Sequence, residues 1–111
     1  MNLLEALREV VTERGEDYVY PREEEGWTTN IGSCRYFLDD GTPACIFGAA
    51  LTKMGYGKAR IKEEVVIGTL LHELGDFTEA EELAASEAQA RQDEGEPYGF
   101  VLRMYEEELT E

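Results

Sequence analysis

The sequence predicts an α+β fold, mostly helical, with about five short helices packed around a two-stranded β-hairpin. Three observations predict it. Apolar residues recur at helical spacing over most of the chain. Capping and stop residues punctuate that pattern at Asn2, Gly15, Gly55, Thr78 and Gly95. Between the first two helical stretches lie two runs, Tyr18-Val19-Tyr20 and Cys34-Arg35-Tyr36-Phe37-Leu38, whose β-branched and aromatic side chains suit a half-buried pleat. At 111 residues the chain is expected to form a single globular domain spanning 1–111.

The first helix is expected over about 3–14. Asn2 and Glu5 have capping-box spacing, Leu3, Leu4, Leu7, Val10 and Val11 form an apolar stripe, and Gly15 offers a left-handed stop. Pro21 ends the first strand, residues 22–33 read as a glutamate-rich loop carrying Trp27, and Asp39-Asp40-Gly41 turns the chain after the second strand. Thr42 then reads as an N-cap with Pro43 at the first helical position, before an apolar stripe of Ile46, Phe47, Ala50, Leu51 and Met54. Gly48, Ala49 and Ala50 are small enough for another element to approach closely.

A weaker pattern spans about 59–74, with Ile61, Val65, Leu70, Leu71 and Leu74 as core candidates. The run Val65-Val66-Ile67-Gly68 leaves open a short turn followed by a helix ending at Gly75. Thr78 and Glu81 form a second capping box, with Phe77 placed to staple onto Leu83 or its neighbours, and that helix runs to about Asp93. The last helix starts at Glu96-Pro97 and turns Tyr98, Val101, Leu102, Tyr105 and Leu109 inward.

Charge is the anomaly. The chain holds 25 acidic and 10 basic side chains, a formal net charge of −15. Residues 79–111 alone hold 11 acidic and 2 basic ones. This argues against direct binding to nucleic acid or to anionic membranes. The longest apolar run, Ala44 to Leu51, is too short to span a bilayer, and no leader pattern opens the sequence, so the cytoplasm is the expected compartment. Glu79, Glu82 and Glu87 lie close to one helical face. Carboxylates one turn apart stand about 6 Å apart along the axis, near the phosphate spacing of a nucleic-acid strand. Such a face keeps a small protein soluble, docks on a basic protein, or imitates DNA.

No catalytic set assembles from the sequence. Cys34, Cys45 and His72 would be needed for thiolate or zinc chemistry, but the cysteines are not at zinc-knuckle spacing and nothing supplies a fourth ligand. Ser33 and Ser86 lack a nucleophile-elbow context, and Gly55-Tyr56-Gly57-Lys58 is too short for a phosphate loop. Neither a cofactor nor a metal is expected. Lys53, Lys58, Arg60 and Lys62 read as complements to the C-terminal end of the second helix and as partners of nearby acids. Trp27, in the glutamate-rich loop, and Tyr18, Tyr20, Tyr56 and Tyr98, near element ends, are candidate contact aromatics, with Trp27 folded back over the hairpin as the alternative.

The stretch Cys34-Arg35-Tyr36 … Asp40-Gly41-Thr42-Pro43-Ala44-Cys45-Ile46-Phe47-Gly48-Ala49-Ala50-Leu51 resembles the central signature of a group of small actinobacteriophage and actinobacterial proteins. A second signature, at Gln89, Gln92, Asp93, Gly95, Pro97 and Gly99, resembles that group's QxxQDxGxPxG segment. The chain departs from the group in residues 21–31, in Tyr98 where tryptophan is expected, and in its acidic C-terminal third. The resemblance implies an accessory protein made in the host cytoplasm, with no enzymatic activity to carry over. Both signatures have the chemistry of structural joints: Gly41 and Pro43 set a turn, Cys45 packs as a small hydrophobe, and Gln92 with Asp93 satisfies backbone groups where one helix ends at Gly95. The expectation is a non-enzymatic protein that binds a host protein and modulates it, through Trp27, Glu79, Glu82, Glu87 and Tyr98. An acidic DNA mimic and an enzyme using Cys34 or Cys45 with His72 are the alternatives.

Overall fold

The computed structural model describes residues 1–19, 36, 43–61 and 65–110. Five α-helices follow one another among these residues: α1 (Leu3–Arg14), α2 (Ile46–Lys53), α3 (Ile67–Leu74), α4 (Glu79–Asp93) and α5 (Tyr98–Leu109). A 3-10 turn at Lys58–Arg60 lies between α2 and α3. α2 packs on α1, α1 on α5, α5 on α4 and α4 on α3. One apolar core joins them, with Leu3, Leu7 and Val10 from α1, Phe47 and Leu51 from α2, Leu70 and Leu71 from α3, Ala84, Ala85 and Ala88 from α4, and Val101 and Tyr105 from α5.

Two helices begin where local chemistry says they should. Asn2 Oδ1 accepts the Glu5 amide at 2.8 Å while Glu5 Oε1 accepts the Asn2 amide at 3.1 Å. Thr78 Oγ1 likewise accepts from Glu81 at 3.1 Å, and Glu81 Oε1 accepts from Thr78 at 2.8 Å. Each box satisfies amides that have no partner within the helix. The third helical stretch divides into the 3-10 turn and α3, which stops at Gly75 in the left-handed conformation, φ 85°. Phe77 does not staple onto Leu83. Its ring lies 6.0 Å from that of Tyr56, and Leu83 points to solvent.

The described residues do not bear out the expected β-hairpin. No strand forms among the described residues; Val19 makes only an isolated antiparallel bridge, and its partner is Pro97. The reason lies in hydrogen bonding. The Tyr18 carbonyl accepts the Tyr98 amide at 2.7 Å, and the Glu16 carbonyl accepts the Gly99 amide at 2.9 Å. Residues 16–18 are thus engaged with the first free amides of α5, for which Pro97 supplies an N-cap without a side-chain acceptor. The close approach needs Gly99, since a Cβ there would lie 2.9 Å from the Glu16 Cβ. Of the second run, only Tyr36 is described: it is fully buried, its carbonyl accepts the Ala44 amide, and its hydroxyl donates to the Val65 carbonyl. The fold among the described residues is helical rather than α+β.

α2 also starts later than Thr42-Pro43 suggests. Thr42 lies outside the described residues, and the first helical residue is Ile46, with Cys45 extended at the N-cap. The Ala44–Tyr36 hydrogen bond of 2.9 Å and one of 3.0 Å from the Tyr98 hydroxyl to the Ala44 carbonyl hold that residue out of the helix. Gly48 meets its expected role: a Cβ there would collide with the Tyr36 carbonyl oxygen.

Neither Cys45 before α2 nor Val66 before α3 caps with its own side chain. Both caps arrive from α4. Gln92 Oε1 accepts the Ile46 amide at 2.9 Å, and Gln89 Oε1 accepts the Ile67 amide at 3.0 Å. The opposite ends are held too. Gln92 Nε2 donates to Cys45 Sγ at 3.5 Å and to Asp93 Oδ1 at 3.3 Å, while Gln89 Nε2 donates to the Tyr36 hydroxyl at 3.3 Å. Gln92 therefore does not serve the joint at Gly95, as its position suggested. That joint closes itself, with Glu94, Gly95 and Glu96 amides donating to carbonyls of Ala90, Gln92 and Arg91.

Candidate interaction surface

α4 presents two faces of opposite character. Ala84, Ala85, Ala88, Gln89 and Gln92 are buried. On the other side Glu79, Leu83 and Glu87 follow at intervals of four and align along the solvent face, with Ala80 and Ser86 exposed beside them. Leu83 lies midway along this row with 64% of its surface exposed.

The structure separates the three glutamates that the sequence grouped. Glu79 and Glu87 are exposed. Glu82 sits on the flank toward α3, its side chain only 19% exposed, with Oε2 3.3 Å from His72 Nδ1. On the same flank a Cβ on Gly68 would collide with Ser86 Oγ, so α3 and α4 approach closely there. Tyr98 leaves the contact surface altogether. It is fully buried, edge-on to Tyr18 at a centroid distance of 4.9 Å. Trp27 and Cys34 lie outside the described residues.

The Cys45 thiol is in the core beside Gln92, whereas the His72 side chain is 79% exposed and pairs with Glu82. Among the described residues no group of three or more His, Cys, Asp and Glu is placed to hold a metal ion. None of the described helices is long and apolar enough to cross a membrane. Two of the basic residues take structural positions: Lys53 reaches Glu13 of α1 at 2.5 Å and Glu9 at 3.8 Å, and the Arg60 guanidinium rests over the Tyr56 ring. At the other end of the acidic third, Glu106 is engaged by Arg8 at 2.9 Å.

Leu83 is the residue that sequence reasoning placed elsewhere. Its signal was available: it stands opposite the small, inward residues Ala84, Ala85 and Ala88, at the spacing that joins Glu79 to Glu87. Comparison with protein-family models, with curated proteins and with solved structures finds no match for this chain.

Proposed function

We propose that this chain is a non-enzymatic accessory protein that binds a basic surface of a host cytoplasmic protein through the outer face of α4 and modulates that protein. The host setting rests on the resemblance of the Cys34–Leu51 and Gln89–Gly99 signatures. The contact chemistry rests on one observation: an exposed leucine centred between exposed carboxylates. Carboxylates flanking an apolar side chain in this way steer a basic partner and set orientation, and the apolar side chain, once fully covered, holds the complex. A surface imitating DNA has no use for a leucine at its centre. The net charge of −15 adds long-range attraction toward any basic partner.

The test is capture of partners from host lysate, followed by affinity measurement on the captured protein. Leu83→Ala is expected to weaken binding about tenfold, and Glu79→Lys with Glu87→Lys to slow association and reduce its salt dependence. A complex that survives 0.5 M salt supports the leucine-anchored reading. Steep loss of binding with salt, competition by duplex DNA and indifference to Leu83→Ala would establish mimicry instead.

A further inference from the structure

A cleft of about 320 Å³ opens at the N-terminal end of α4, where the start of α1, the end of α2 and the α3–α4 joint meet. Met1, Met54, Tyr56, Asp76, Phe77 and Glu81 are among the residues that line it. Its polar groups are half engaged. The Tyr56 hydroxyl donates to Asp76 Oδ2 at 2.7 Å, and Glu81 Oε1 accepts the Thr78 amide. Each carboxylate keeps its second oxygen, Oδ1 of Asp76 and Oε2 of Glu81, clear of those bonds. Burial, and then the hydrogen bond to Asp76, raise the Tyr56 hydroxyl to about 12, so it remains a donor and holds Asp76 in place. Glu81 also acts on the buried Tyr105 hydroxyl, which has no hydrogen-bond partner among the described residues.

We infer that this cleft receives an arginine side chain of the basic partner. The inference rests on the binding reading above and names the group that the partner inserts beside the α4 face. Phe77, Tyr56 and the methionines give walls for an aliphatic stem and a planar head, and the Asp76 and Glu81 carboxylates supply the negative charge and acceptors that a guanidinium takes. Arg60, which does not line the cleft, places its guanidinium 5.2 Å from the Tyr56 ring centroid. The α4 terminus contributes about half a positive charge here, outnumbered by Glu79, Glu81 and Glu82 in its first turn.

The experiment titrates the full chain with N-acetyl-arginine amide, following backbone amide resonances, and uses the citrulline analogue as its uncharged isostere. Arginine is expected to bind with a dissociation constant of about 1–10 mM and to move resonances of residues 1–3, 54–57 and 76–81. Asp76→Asn and Glu81→Gln preserve the Tyr56 bond and the capping box, so both fold; each is expected to weaken binding about fivefold or more. Equal shifts from citrulline, lysine amide binding as tightly as arginine, or arginine binding unmoved by both variants would overturn the assignment. The free amide reports on the cleft without the partner. A silent cleft together with a Leu83→Ala defect in partner binding refutes this inference alone, and the reverse result refutes only the α4 reading.

Discussion

The helix starts of this protein divide into two kinds. α1 and α4 carry their own caps in boxes closed within three residues and open to solvent. α2 and α3 borrow theirs from Gln92 and Gln89, across sequence separations of 46 and 22 residues, in the buried interior. The chemistry is the same, a side-chain oxygen accepting an amide with no helical partner. The consequences differ. A local box stabilises its own helix whatever the rest of the chain does, whereas a borrowed cap forms only once α4 is in place. Water can replace the first when it is lost, but it cannot reach the second without opening the core.

That contrast is strongest at the glutamines. Gln92→Ala is expected to cost about 3 kcal/mol, and Gln89→Ala about 2 kcal/mol, since each leaves a buried amide unpaired and a small void. Chemical denaturation followed by circular dichroism gives both values, and a loss no larger than that of an exposed cap would erase the distinction. Asn2→Ala and Thr78→Ala are expected to cost about 1 kcal/mol each in the same measurement. Replacement by Gly should recover most of that at these positions and none of it at the glutamines.

The smallest effect concerns pH. The Tyr56 hydroxyl, at about 12 in the folded chain against 10.0 for the free side chain, stabilises the fold fully below pH 10, and that contribution fades as pH rises toward 12. Tyr56→Phe is expected to flatten the fall in stability across that window, as read from thermal unfolding at stepped pH.

Much of the fold was legible because it is local. The apolar stripes of α1 and α5, both capping boxes and the stop at Gly75 depend on neighbours within one or two turns. What failed was long-range. Tyr18-Val19 has strand composition, but composition reports only that the backbone is extended, not which amides it will meet; they are those of Tyr98 and Gly99. Pro43 suits a helix start, yet Ala44 is claimed by Tyr36 and Tyr98. The acidic face was half legible. Glu79 and Glu87 are exposed as the spacing implied, but Glu82 faces His72, because which edge of a helix meets its neighbour is set by packing; Tyr98 fills the core, as its place in the α5 stripe implied, and so gives no surface contact. Phe77 stands where a staple onto Leu83 or its neighbours is expected, but its ring lies against Tyr56 and Leu83 is exposed.

One consequence follows from the spacing of Gln89 and Gln92. Two teeth one turn apart, each seated in a different socket, fix a rod against both rotation and sliding. Turning α4 by a single residue, about 100°, would unseat both at once. The inner side of the rod thereby fixes which way its outer side faces, so the charges there can be exchanged without disturbing the frame that carries them.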